Sequence, residues 1–300
     1  MSAARAMRVL VTGATGFVGS HAVAALLAAG HAVTAHVRDA SRVPSLLRGR
    51  VAVVEGPLEA LDPRGHDAVI HNAIVWRDAD DERGLDDQHV AEAVFRAAVD
   101  VGVEAVIYTS STAVHRPFTR GMDESQRLAP SDDYGRTKAA NERSLARVTD
   151  GTETRAVVLR PGPVVGGPAV EGARVKPFAP LAEVVRRACD GEEIEVTRGE
   201  GRQFVAAEDL ARAFVRAVES PRARGAYLVV ARELVSWELV ARVAVERSGS
   251  ASRVRVVDGD GSCEHGFDVS RLERDLGLRC TARRAVEDEV ARLVARLRGD

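Results

Sequence analysis

Arg8-Val9-Leu10-Val11-Thr12-Gly13-Ala14-Thr15-Gly16-Phe17-Val18-Gly19 decides the fold. A short apolar run of β-forming residues leads into Gly-x-x-Gly-x-x-Gly, and residues at helical spacing then continue from Phe17 to Ala29 before Gly30. Strand, glycine turn and helix in that order place a pyrophosphate on backbone N–H groups at a helix N-terminus, where the helix dipole favours negative charge. Gly13 supplies the turn, Gly16 lets the backbone approach phosphates, and Gly19 lets the helix pack close to the strand. The stretch is therefore a dinucleotide-binding candidate.

Outward from it, short β-branched runs alternate with helical segments. Strands are predicted at Ala32–Val37, Val51–Val54, Ala68–His71, Ala105–Tyr108 and Ala156–Leu159, with helices at Gln88–Val101, before Gly102, and Tyr134–Val148. That alternation builds a parallel sheet covered on both faces, a Rossmann-like doubly wound α/β fold. Beyond Pro161 the texture changes: Pro161, Pro163, Gly166, Gly167, Pro168, Gly172, Pro177 and Pro180 crowd together, as in a loop leaving the sheet. Helices are then predicted at Leu181–Cys189, Phe204–Glu219, Trp237–Arg247 and Ala285–Leu297, with strands at Ala226–Val230 and Arg253–Val257. The expected division is a nucleotide-binding domain over 1–162 and a smaller α/β substrate lobe over 163–300, some segments of which return to the first domain.

Composition limits the function classes. The 300 residues are 45% hydrophobic and 29% charged with a formal charge of −2, a globular balance with no overall basic field. Arginines alternate with acids along the helices, the pattern of a solvated face, so nucleic acid is not an expected partner. Cys189, Cys263 and Cys280 are too widely spaced for a redox pair or a zinc knuckle, so no metal is expected and a reducing cytoplasm fits. No apolar run is long enough to span a bilayer.

Two further features carry chemistry. Tyr134 and Lys138 lie four residues apart on one helix face. A phenol is a weak base at neutral pH, but a neighbouring ammonium stabilises its phenolate, which suits Tyr134 to exchange a proton with a substrate hydroxyl or carbonyl. Thr109-Ser110-Ser111-Thr112 follows the fifth strand, at the carboxyl edge where doubly wound sheets hold ligands. For the cofactor, the second strand ends His36-Val37-Arg38 with Arg42 beyond, where an NAD site usually has a carboxylate for the ribose 2′-hydroxyl. A guanidinium suits a 2′-phosphate, so NADP is expected, with Asp39 keeping NAD possible.

These segments, with His71-Asn72-Ala73, Leu159 to Gly166, Gly201-Arg202-Gln203-Phe204-Val205, Asp209-Leu210-Ala211 and Asp268 to Arg271, resemble the extended short-chain dehydrogenase/reductases of the NAD(P)-dependent epimerase/dehydratase group. The resemblance implies Tyr134 as acid/base, Lys138 as its electrostatic and cofactor partner, and Ser111 as the hydroxyl that orients the substrate oxygen. It implies a cofactor site from Gly13, Thr15, Gly16, Phe17, Val18, Gly19, Arg38, Asn72, Ala73, Thr109, Tyr134, Lys138, Pro161 and Val164, and a substrate contact from Arg202. It also implies a homodimer through Gln88–Val101 and Tyr134–Val148. The expected activity is hydride transfer to or from a carbonyl or hydroxyl carbon of a sugar nucleotide or related keto compound. The alternatives are an epimerase or dehydratase with tightly bound NAD, or an NADP sensor without turnover. Three departures stand out: Gly56-Pro57-Leu58-Glu59-Ala60 replaces the acidic motif near the adenine, no Asn lies between Leu85 and Asp100, and Val114-His115-Arg116 replaces Val-Tyr-Gly.

Overall fold

The computed structural model describes residues 5–43, 47, 49–74, 87–170, 175, 177–259 and 266–299. Gly172, Cys263 and the side chain of Arg42 lie outside the described residues. In chain order the elements are β1 Arg8–Thr12, α1 Phe17–Ala28, β2 Ala32–Val37, β3 Ala52–Glu55, β4 Ala68–His71, α2 Gln88–Asp100, β5 Ala105–Thr109, α3 Asp133–Thr149, β6 Arg155–Pro161, β7 Val164–Val165, α4 Ala179–Cys189, β8 Ile194–Thr197, β9 Gly201–Arg202, β10 Val205–Ala206, α5 Ala207–Glu219, β11 Gly225–Val229, β12 Val235–Ser236, α6 Trp237–Ser248, β13 Val254–Val257, α7 Ser270–Leu276 and α8 Arg283–Arg298.

Seven strands form one parallel sheet in the order β11-β6-β5-β4-β1-β2-β3. The order doubles back beside β1, so β1 and β4 are neighbours and their carboxyl ends open a crevice for a ligand. One face is covered by α1 and α5, where Leu26, Val23, Leu210 and Phe214 share a core with Val9, Val11 and Ile107. The other is covered by α2 and α3, where Val94, Phe95 and Leu145 pack on Leu10, Val69 and Tyr108. A strand covered on both sides must be apolar at every position, and β4 and β5 are buried throughout.

β3 is the exception among the predicted buried strands. It is the last strand of the sheet, and Val53 and Val54 are 40% and 44% exposed. A separate apolar core joins Leu181 and Val185 of α4, Trp237 and Val240 of α6, Val290 of α8 and Ile194 of β8. The helix predicted from Phe204 begins only at Ala207, because Val205 and Ala206 pair with β7. The predicted strand Arg253–Val257 is present as β13 and pairs in parallel with β8, which, like the short α7, has no counterpart among the predicted elements. β11 returns from beyond α5 to complete the sheet beside β6. No described helix is long and apolar enough to cross a membrane.

Candidate active site

The glycine turn closes against β4. Gly13 has φ +65°, a left-handed conformation that a side chain resists, and a Cβ there would lie 2.8 Å from the Ala73 nitrogen. A Cβ on Gly19 would lie 2.1 Å from the Gly13 carbonyl oxygen, so the first turn of α1 touches the loop backbone directly. Gly16 meets nothing closer than 3.4 Å; it is the N-cap of α1 and has no side-chain cap bond. The open positions are therefore the backbone N–H groups at the start of α1, flanked by Thr15, Phe17 and Val18, and this cradle fits a diphosphate. Thr12 ties it to β4: its Oγ1 accepts from the N–H groups of Asn72 and Ala73 at 3.2 Å each and shares a hydrogen bond with His71 Nδ1 at 2.9 Å. Thr12 was not singled out from sequence, since a buried hydroxyl at a strand end reads there as an ordinary β residue.

At the end of β2, Arg38 is exposed. Its neighbour Asp39 caps the turn Ala40–Arg42, with Oδ1 accepting from the Ser41 N–H at 2.9 Å and hydroxyl at 2.6 Å. Glu55, at the end of β3, accepts from the Ala40 N–H at 3.1 Å. Both carboxylates nearest this corner are thus engaged in shaping the loop.

Ser111 follows β5 in extended conformation and caps the helical turn Thr112–His115, its Oγ accepting from the Ala113 N–H at 3.1 Å. α3 starts at its own cap, Asp132, whose Oδ1 accepts from the Gly135 N–H at 2.8 Å. Gly135 makes the two meet: a Cβ there would lie 2.6 Å from the Ala113 carbonyl oxygen. Only glycine lets the first turn of the tyrosine helix rest on the serine turn. Tyr134 is half-buried, and Lys138, 4% exposed, donates to the Thr109 carbonyl at 3.0 Å. The lysine Nζ lies 4.9 Å from the Tyr108 ring centre and 5.9 Å from that of Tyr134. The ammonium therefore reaches the end of β5 and the tyrosine ring together. Burial pushes its pKa down, while Asp87 and Glu142 oppose that shift.

The serine turn also forms one wall of a small cavity of about 30 Å³, shared by Thr112, Arg116, Phe118, Phe178, Arg202 and Phe267. Arg202, on β9, donates to the Gly201 carbonyl at 2.7 Å and lies 6.0 Å from the Trp237 ring. Arg116 pairs with Asp132 at 2.9 Å and faces Phe118. A strap closes the cavity edge: the Met122 N–H donates to the Gly266 carbonyl, the Asp268 N–H donates to the Met122 carbonyl, and the Gln203 side chain binds both the N–H and the carbonyl of Phe267. Pro161 ends β6 and Val164 begins β7, and Pro163 between them lines the cavity.

Beneath the serine turn lies a buried ion pair. Arg160 donates to Glu142 through Nε at 3.1 and 3.2 Å and through a terminal nitrogen at 2.6 Å, and both side chains are under a tenth exposed. Ser110 donates to the same carboxylate, and Arg160 also donates to His115 Nε2 at 3.1 Å. His115 is 3% exposed, so this departure from the family pattern is a packed residue rather than a solvated loop histidine. Burial, helped by Arg160, pushes its imidazole down to about 4, and burial pushes His71 down to about 3.

Both rings are neutral in the fold, whereas the unfolded chain takes up protons below the ordinary histidine value near 6.5. The unfolded state binds more protons between those limits, so stability falls as pH is lowered from about 6.5 toward 4. Thermal midpoints measured from pH 7 to pH 5 are expected to drop, and to drop less in His71→Gln. A midpoint independent of pH over that interval contradicts the assignment.

Comparison with known proteins agrees with this geometry. The sequence model described as "NAD dependent epimerase/dehydratase family" matches residues 9–231. A dTDP-4-dehydro-6-deoxy-D-allose reductase of Streptomyces bikiniensis is 29% identical, covering 95% of each chain. A UDP-glucose 4-epimerase of Vibrio cholerae is 26% identical over 79% of this chain and 75% of its own. The solved complex of MoeE5 with UDP-glucuronic acid and NAD superposes with a TM-score of 0.74 at 25% identity, covering 97% of this chain and 99% of that one. The match spans the glycine cradle, the serine turn, the tyrosine helix and β11, and the chain is an enzyme of the NAD-dependent epimerase/dehydratase family, within the extended short-chain dehydrogenase/reductases.

Proposed function

We propose that the protein is a nicotinamide-dependent oxidoreductase that prefers NADP(H) and reduces a ketone, with a 4-keto sugar nucleotide or related keto compound as substrate. The observation that carries this reading is the joining of Lys138 to both Thr109 and the Tyr134 ring, on a helix that Gly135 seats against the Ser111 turn. When bound, the nicotinamide supplies the hydride. Tyr134 gives the proton to the carbonyl oxygen, the buried Lys138 ammonium stabilises the phenolate left behind, and the Ser111 hydroxyl orients the oxygen. Arg202, which lines the same cavity as Thr112, suits an anionic part of the substrate. Similarity to a sugar-nucleotide reductase over 95% of each chain supports net reduction.

A second reading, epimerisation with tightly held NAD, is favoured by Arg202 on the cavity wall and by the epimerase relatives. Incubation with NADPH and a panel of 4-keto sugar nucleotides and simple ketones separates the two. Stoichiometric NADPH oxidation supports reduction, and turnover of a sugar nucleotide without NADPH consumption supports epimerisation. NADPH binding without any turnover removes the enzyme assignment of this site.

The cofactor preference has its own check. With Asp39 and Glu55 holding the loop, Arg38 is the residue offered to a 2′-phosphate. Arg38→Ala is expected to weaken NADPH roughly tenfold, the loss of a charge-assisted contact, and NADH little. Equal losses in the two measured dissociation constants contradict the phosphate contact.

A further inference from the structure

The buried side of the tyrosine helix also carries Asn141, one turn beyond Lys138. Asn141 is fully buried and its Nδ2 donates at 2.9 Å both to Asp87 Oδ2 and to the Tyr108 hydroxyl. The carboxylate fixes the orientation of the amide, since the opposite flip would turn the Asn141 oxygen toward an acceptor. Asp87 immediately precedes α2 and is itself 0% exposed. Tyr108 spans the remaining gap: its hydroxyl accepts from Asn141 and its ring lies under the Lys138 ammonium. Asp87, Asn141, Tyr108 and Lys138 thus form one buried cluster joining α2, α3 and β5, in a chain whose α2 lacks asparagine.

A buried carboxylate is costly unless it is hydrogen-bonded and offset by a nearby positive charge, and a buried ammonium has the mirror requirement. The groups facing Lys138 are Glu142 and Tyr134 on its own helix, Tyr108 on β5, His71 on β4 and Asp87 before α2. His71 is neutral and Glu142 is committed to Arg160, Ser110 included. Among the described residues, Asp87 is the remaining acid.

We propose that Asp87 is a positioning residue: its buried carboxylate, clamped by Asn141, supplies the negative charge that keeps the buried Lys138 an ammonium. This rests on the Tyr134/Lys138 reading for its functional meaning, but its physical content does not require turnover. The chain holds only two lysines, Lys138 and Lys176, so protein labelled with carbon-13 at lysine Cε gives two signals, and Lys176→Arg assigns them. In Asp87→Asn, which keeps an acceptor for Asn141 and removes the charge, the Lys138 signal is expected to titrate roughly one pH unit or more below the wild type. Tyr108→Phe, which removes a hydroxyl but no charge, is expected to leave that titration unmoved.

An unchanged Lys138 titration in Asp87→Asn overturns the proposal, as does an equal shift in Tyr108→Phe. If Asp87→Asn does not fold, Asp87→Glu keeps the charge and must titrate as the wild type does; a downward shift there overturns it equally. Tyr134→Phe is assayed in parallel. Full turnover by that variant defeats the catalytic reading whatever Lys138 does, whereas an inactive Tyr134→Phe beside an unshifted Asp87→Asn defeats only the role given to Asp87.

Discussion

Tyr134→Phe is expected to lower kcat for ketone reduction by about 10²- to 10⁴-fold, the usual contribution of a positioned proton donor, with little change in NADPH affinity or fold. The variant keeps the aromatic ring beside Lys138 and removes only the phenol oxygen. Its ring is half-buried on the first turn of α3, where Gly135 and the Asp132 cap set the backbone, so no packing is lost. Steady-state kinetics with NADPH check this. A fall confined to KM would mean that the hydroxyl binds substrate without moving a proton, and a loss below tenfold would remove Tyr134 from the chemistry.

The second large effect is on stability. Glu142→Ala and Arg160→Ala are each expected to cost about 3–5 kcal/mol, because each leaves a buried charge without its partner. Glu142→Ala also strips the acceptor from Ser110, and Arg160→Ala strips the donor from His115 Nε2. The double variant is expected to lose clearly less than the sum of the two, since no lone charge remains. Urea denaturation of the four proteins measures this coupling. Additive losses, or single losses near 1 kcal/mol, would show that the pair is solvated and contributes little.

Much of the fold was legible because its signals are local. The glycine turn, the sheet strands and the Gly30 and Gly102 stops each follow from a few adjacent residues, and all recur in the structure with shifts of one or two positions, although β3 lies exposed at the sheet edge rather than buried. What escaped was set by distant pairing. Val205 and Ala206 continue a helical pattern and become a strand only because β7 lies beside them; Ile194–Thr197 has a partner sixty residues later. The same division holds at the site. Tyr134 and Lys138 announce themselves by spacing, whereas Thr12, Gly135 and Gln203 matter through atoms of β4, the serine turn and the 266–268 loop, which no spacing reveals. Asn141 and Asp87 carry no sequence signal, because a polar residue within a charged helix and a helix-starting aspartate are both common.

The strap across the cavity edge has an engineering consequence. Residues 116–126 and 266–268 hold each other through Met122, Gly266 and Phe267 and are anchored by Gln203, while Ser111 and Tyr134 are fixed from below by Gly135, Lys138 and the Arg160–Glu142 pair. The cavity therefore has two walls joined at two points: Arg116 of the strap pairs with Asp132, the cap of α3, and Arg160 donates to the Glu124 carbonyl. Transplanting both strap segments together from a relative, with Arg116 kept for its pairing with the α3 cap, is a route to exchange what the enzyme accepts while leaving the proton-transfer wall in place, whereas transplanting either alone breaks the shared hydrogen bonds and should yield a poorly formed pocket.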